Sequence, residues 1–314
     1  MAKEIQEDLT NEEKNALLKE LEKQGIEKWK KRWIFHMALP EGFNFFSEDI
    51  KLREKILRYL LLRVLINQQA KFEKVRELAK SFIEEFDDQL VKEPHNISDE
   101  SLLKIFYKIA GESGSELYRV GFLGGIKPPS LFLYRFKAFE GFIKWLETNN
   151  LTLFDLFLKI LEDKKVRGLF EYLKNHLILK SGWVGNDPKA CRMYVNWVWF
   201  LYKEIWKEEI KTSSLETLMV VDGHVAKIFC RTGLIELVFY EKRRPYIIQA
   251  SKMRKKIEEV VAKFKVGSFY VDTGAFYIFE DGYCLDKNPN CTKCPINTWC
   301  KKYIKWTAYQ KQRL

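Results

Sequence analysis

The chain has 314 residues, 46% hydrophobic and 15% aromatic, with a formal net charge of +11 at pH 7. That composition can fill one large or two modest cores and excludes a disordered or low-complexity protein. The positive charge admits a polyanionic partner without requiring one, and the longest apolar run, around Tyr59 to Ile66, is interrupted by Arg63 and does not suggest a membrane span.

The first 23 residues are charged and helical in pattern, so they do not read as a targeting segment, and a cytoplasmic location is expected. Leu17, Leu18, Leu21, Ile26, Trp29 and Trp33 recur at helical spacing through residues 12 to 33. Pro40, Gly42 and Asn44 mark a break, and Ser47 is the expected N-cap of the next helix. That helix, from Ser47 to Asn67, is apolar around most of its circumference and so belongs at the centre of a core. It ends in Asn67-Gln68-Gln69-Ala70, and an amphipathic helix follows to about Phe86.

Pro94 to Asp99 reads as a loop and Ser101 to Ala110 as a short helix. Two glycine-bearing loops follow, Gly111 to Ser115 and Gly121 to Pro129, and neither has the spacing of a nucleotide-binding loop. Helices are expected over Ser130 to Asn149, Thr152 to Asp163 and Val166 to Lys174. A turn cluster, SGWVGNDPKA from Ser181, leads into an aromatic-rich helix from Lys189 to about Trp206. After a polar segment, Leu218 to Val221 precede Asp222, the expected N-cap of a helix ending near Gly233. A further amphipathic helix spans about Ile248 to Phe264. Gly267 to Phe279 fits either a strand or a short buried helix. The tail from Lys301 to Leu314 has five Lys/Arg and no acid.

Between these last segments lie Cys284, Cys291, Cys294 and Cys300, in a C-x6-C-x2-C-x5-C pattern. Four of the six cysteines thus fall within seventeen residues, among Lys, Asn, Pro and Thr rather than in an apolar run. Core cysteines do not sit this way, and no secretory signal points to disulfides. A tetrathiolate site remains, for zinc or for an iron–sulfur cluster. Zinc ribbons usually carry two C-x2-C knuckles and here there is one, which favours a cluster but leaves zinc open. Cys191 and Cys230 read as small core residues, and His36, His95 and His176 sit in no motif.

The cysteine spacing, with KKIEEVVAKFKVGSFYVDTGAFYIFEDGYC before it, resembles the iron–sulfur end of endonuclease III and its adenine-glycosylase relatives, which are helix-hairpin-helix DNA glycosylases. Three further stretches resemble that family in the same order. LLLRVLINQQAKFEKVRELA looks like its first barrel helix and glutamine-bearing turn. Gly182-Trp183-Val184-Gly185 followed by Lys189 looks like a modified hairpin, usually L-P-G-V-G-R-K-T-A. Val221-Asp222-Gly223-His224-Val225 resembles its V-D-T-H-V. The likeness covers about residues 50 to 80 and 180 to 305. This chain departs from the family in a longer hairpin, in Gly223 for Thr, and in the 33 residues from Lys189 to Asp222, a gap that resembles the archaeal 8-oxoguanine glycosylases, which lack the cysteine loop.

The resemblance implies an all-α fold of two helical lobes, a helical barrel and a cluster lobe, with a groove for double-stranded DNA between them. It implies segments of 1–45 packing with the C-terminal lobe, 46–212 as the barrel, and 213–314 carrying Asp222 and the cluster. Asp222 would stabilise an oxocarbenium-like sugar, and Lys189 would form a Schiff base with the sugar and give AP-lyase activity. Lys203 is a second candidate amine. Gln69, flanked by Gln68 and Asn67, would fill the gap left by a flipped base, and Gly182 and Gly185 would let hairpin N–H groups approach a phosphate. His224 would order the loop around Asp222. The four cysteines would hold a [4Fe–4S] cluster rather than zinc, presenting Lys287, Lys293, Lys301 and Lys302 to DNA. The expected activity is excision of a damaged, oxidised base by a monomer that contacts no membrane. A monofunctional glycosylase for mismatched or deaminated bases and a non-catalytic metal-containing DNA-binding protein are the alternatives.

Overall fold

The computed structural model describes residues 9–37, 43–68, 70–118, 125–235, 250–285 and 288–300. Within them the chain forms eleven α-helices and no strand, with one isolated bridge between Ala70 and Tyr118. The fold is therefore mostly helical, and no described helix is long and apolar enough to cross a membrane. The chain divides into two compact units, Ile34–Thr212 and Met1–Trp33 with Ser213–Leu314. The division falls inside α1 (Asn11–Met37), upstream of the expected boundary at residue 45.

The 34–212 unit is built around α2 (Ile50–Asn67), as its apolar circumference requires. α3 (Phe72–Lys92), α5 (Pro128–Thr148), α6 (Leu153–Asn175) and α8 (Lys189–Phe200) all pack on it, and α4 (Asp99–Ala110) packs on α3 and α5. Ile56, Leu57, Leu60, Leu61, Val64, Leu65 and Ile66 are buried, each contributing about 1.5–3 kcal/mol on transfer from water. Arg63 is buried with them, and its guanidinium lies over the Trp197 ring, 4.9 Å from the centroid. Burial lowers its pKa to about 10, against the raising influence of Tyr59, so it stays charged at neutral pH.

Two boundaries differ from expectation for local reasons. α2 starts at Ile50, because Asp49 rather than Ser47 caps it: the Lys51 N–H donates to Asp49 Oδ1, while Ser47 Oγ accepts from the Asp49 N–H. α8 gives way at Leu201–Ile205 to a π-helical turn, where Lys203 Nζ donates to the Ile210 carbonyl at 2.8 Å. α6 keeps the two expected halves, joined at Lys165, whose φ of 60° and ψ of −173° break the helix. α7 (Leu179–Gly182) is a single short turn packed on α5 and α6.

The other unit is assembled on α11 (Ser268–Glu280), so the segment that fitted either strand or helix is a helix. α9 (Gly223–Arg231) and α10 (Ala250–Lys263) pack on it. α1 lies against it so closely that a Cβ at Gly25 would stand 1.8 Å from the Tyr270 carbonyl oxygen, and one at Gly274 would stand 1.9 Å from that of Leu21. Trp29 meets Phe269 edge to face, and Glu22 Oε1 accepts from the Gly267 N–H. At the end of α11, Lys28 and Arg32 pair with Asp281.

Gly25→Ala and Gly274→Ala should each destabilise this unit by about 3 kcal/mol or more, read by thermal unfolding, because the clash is with backbone and cannot relax through a rotamer. A second expectation concerns pH. Burial acts to raise Asp281, but hydrogen bonds and charge from Lys28 and Arg32 outweigh it and hold its carboxyl below the usual range. A carboxyl depressed on folding stabilises above its unfolded pKa of about 3.9, and that share is lost as pH falls through the folded value. Unfolding free energy measured against pH should therefore drop at the acid end, and Asp281→Asn should flatten that drop.

Candidate active site and cysteine loop

Asp222 caps α9. Its Oδ1 accepts from the backbone N–H groups of His224 (2.8 Å) and Val225 (2.9 Å), which fixes the carboxylate on the helix N-terminus. The incoming chain, Leu218 to Val221, is buried. Val221 has a φ of 44°, and its N–H donates to Oδ1 of the buried Asp272 of α11 at 2.9 Å. The His224 ring stacks on Phe279 of α11, with centroids 3.7 Å apart. Asp222 itself is half-buried, and Gly223 beside it is exposed with nothing within 4 Å of where a Cβ would lie.

α9 also reaches the cysteine loop from its other end. Arg231 is buried, and its Nη1 donates to the Cys284 carbonyl at 2.6 Å and lies 3.4 Å from Cys284 Sγ. Cys284 follows the turn that closes α11, where Gly282 takes a φ of 81°. Cys291 opens a short 3-10 turn ending at Cys294, and the Cys300 N–H bonds back to Ile296, whose buried side chain anchors the loop on the core. All four thiols are half-buried. Burial, with the neighbouring Cys284 and Cys291 thiols, pushes Cys294 up to about 11, against a hydrogen bond from the Ile296 backbone. Burial and the other three thiols push Cys300 up to about 12, opposed by Arg231. Four soft thiols in one short loop are the donor chemistry that zinc or an iron–sulfur cluster takes. The described His, Cys, Asp and Glu side chains form no group of three or more that could hold a metal ion, so the metal reading rests on the donor chemistry and its spacing along the chain.

The 34–212 unit holds the glutamine turn and the hairpin, and it joins them. The Gln68 side chain is buried: Nε2 donates to the carbonyls of Leu65 and Gly182, at 3.1 and 2.7 Å, and Oε1 accepts from the Val184 N–H at 2.8 Å. The buried Arg135 donates to the Ile66 and Gln68 carbonyls from α5. Gln68 is thus committed inside the protein, which corrects the expectation that it faces DNA. Asn67 is half-buried as the last residue of α2, and Gln69 lies outside the described residues.

The two hairpin glycines separate. A Cβ at Gly182 would meet Ala138 at 2.9 Å and Leu65 at 3.0 Å, so this glycine serves helix packing rather than approach to a phosphate. Gly185 is exposed, takes a φ of 79° and has open space around it, which keeps it a candidate for close approach. The Val184 N–H is already held by Gln68. Trp183 is packed, its Nε1 donating to the Leu173 carbonyl. Asp187 takes two bonds from the buried Arg192, at 2.7 and 3.1 Å, and shapes the hairpin's exit. Lys189 follows as the exposed first residue of α8. Lys203 is half-buried, with its ammonium on the Ile210 carbonyl, a structural use that weighs against it as a nucleophile. Lys287, Lys301, Lys302, the basic tail, and Gly121 to Gly124 lie outside the described residues, while Lys293 is exposed.

Sequence reasoning missed Asp272, Arg231 and the strap made by Gln68. A lone acid inside SFYVDTGAFYIF was the available signal for Asp272, because an acid on a buried helix needs a partner. Gln68→Leu should cost about 1–3 kcal/mol by leaving the Gly182 carbonyl and the Val184 N–H without their partner, and hydrogen exchange should show faster opening of the hairpin than of α2. Comparison with protein-family models, with curated proteins and with solved structures finds no match for this chain.

Proposed function

We propose that this protein is a DNA base-excision glycosylase, cutting the N-glycosidic bond of a damaged, oxidised base in double-stranded DNA. The observation that carries the reading is Asp222: a half-buried carboxylate, oriented by two N–H groups at a helix N-terminus, on the same helix that contacts the cysteine loop through Arg231. As the bond to the base breaks, the sugar gains oxocarbenium character, and a fixed carboxylate is suited to stabilise it. The Lys189 amine then attacks the anomeric carbon. The base departs with the bonding electron pair and takes up a proton; the attacking nitrogen gives one proton to water, the ring C–O bond breaks as its oxygen is protonated, and the resulting Schiff base loses a proton from the neighbouring carbon as the 3′ phosphate leaves. Gly185 and Asn67 remain the described candidates for DNA contact, with Gln69 proposed as the wedge. A two-lobed arrangement with DNA in the groove belongs to this proposal, because the reaction needs both Lys189 and Asp222 at one sugar.

Cys284, Cys291, Cys294 and Cys300 would hold a [4Fe–4S] cluster, which supplies cross-links that rigidify the loop and does no bond chemistry in this reading. The exposure of Lys189 favours a second reading, a monofunctional enzyme in which water takes the place of the amine, since a nucleophilic amine is usually desolvated.

A panel of lesion-bearing duplexes, with and without borohydride, tests both. Asp222→Asn should lower single-turnover excision by about 10²-fold or more while DNA binding persists. If no activity of the wild-type chain changes on that substitution, the protein is a DNA-binding protein rather than an enzyme. Covalent trapping should vanish in Lys189→Gln and survive in Lys203→Gln; excision without trapping selects the monofunctional reading. Purified protein should show visible absorbance with matching iron and sulfide, and Cys294→Ser should remove the absorbance and lower the unfolding temperature.

A further inference from the structure

Val221 enters the cap of α9 in the left-handed backbone region, with a φ of 44°. A β-branched residue there is strained, and the conformation persists only where its surroundings impose it. Val221 is buried, so solvent does not relax it. Its N–H donates to Asp272 Oδ1, 51 residues later in sequence and on a different helix.

Asp272 lies within α11. It sits among Phe269, Tyr270, Val271, Ala275, Tyr277 and Ile278, all buried, where an acid costs desolvation free energy. The helix is capped and packed by other groups: Thr217 Oγ1 accepts from the Phe269 N–H, and Gly274 meets α1. The acid contributes a tether on the residue that immediately precedes Asp222.

We propose that Asp272 is a positioning residue for the Asp222 carboxylate, an inference that rests on reading Asp222 as the catalytic group. The bonds from His224 and Val225 fix that carboxylate relative to α9. The tether at Val221 fixes the chain entering the cap, so the carboxylate is held from both sides. Releasing Val221 lets the backbone relax toward an ordinary φ, which turns the Asp222 Cα–Cβ bond while leaving α9 in place. A misplacement of about 1 Å at a reacting group can lower a rate by about 10²-fold.

The test compares wild type with Asp272→Asn, Asp272→Val and Asp272→Glu. Asn keeps an acceptor oxygen at the Oδ1 position, Val removes it, and Glu displaces it by one methylene. Hydrogen exchange of the Val221 amide is read on protein alone. Affinity is read with a duplex carrying a stable abasic-site analogue, and excision under single turnover on the lesion that wild type processes. Asp272→Asn is expected to keep amide protection and excision within about threefold of wild type, whereas Asp272→Val loses protection and about 10²-fold in excision at nearly unchanged affinity. If Asp272→Val does not fold, Asp272→Glu takes its place, with a loss of excision that Asp272→Asn does not share. Equal excision by wild type and the Val or Glu variant overturns the role, as does a loss of excision matched by the loss of affinity. A wild-type chain that excises no lesion overturns the glycosylase reading instead. Val221 exchange still decides the tether in that case: protection kept in Asp272→Asn and lost in Asp272→Val supports it, and unchanged protection overturns it.

Discussion

The backbones of α1 and α11 touch at Gly25 and Gly274, where neither residue has room for a β-carbon. That contact fixes α11, and three features of the candidate site depend on where α11 lies. Asp272, two residues before Gly274, reaches Val221. Phe279 supports the His224 ring. The C-terminal end of the helix turns directly into Cys284. Lys28 and Arg32 of α1 hold that end through Asp281. The N-terminal helix is therefore part of the machinery that places Asp222, although it contributes no reactive group.

In the 34–212 unit the corresponding constraint is the end of a buried helix. α2 is buried along nearly its whole length, so its last turn meets protein rather than water, and its polar groups need partners there. Gln68 and Arg135 supply them. The same bonds tie the hairpin to the helix end. The turn proposed to enter DNA and the loop proposed to grip its backbone are consequently one mechanical piece, which suits a protein that must hold both against a deformed duplex.

The candidate site was legible in parts. The N-cap role of Asp222 followed from a polar residue ahead of a helical apolar pattern, and the two halves of α6 from a break in that pattern. Gln68 and Gly182 were misread, because a polar residue at a helix end and a glycine in a loop look alike whether they face solvent or a neighbouring helix. Their partners lie more than a hundred residues away, as with Gln68 and Gly182, or on other helices, as with Gly182, Ala138 and Leu65. The start of α2 was misplaced by three residues because Ser47 and Asp49 are both competent caps, and only the hydrogen-bond geometry separates them.

The sequence alone determined most of the individual helices, the central position of α2 and the gathering of four thiols in one loop, since each rests on periodicity or on close spacing along the chain. Only the tertiary structure decided that Gly267 to Phe279 is a helix, because its aromatic run suits a strand equally well until α1 and α9 are packed against it. It also decided that Val221 is strained and that Asp272 holds it. Both facts depend on a contact across 51 residues, and no local pattern encodes the distance between a buried acid and a backbone N–H so far along the chain.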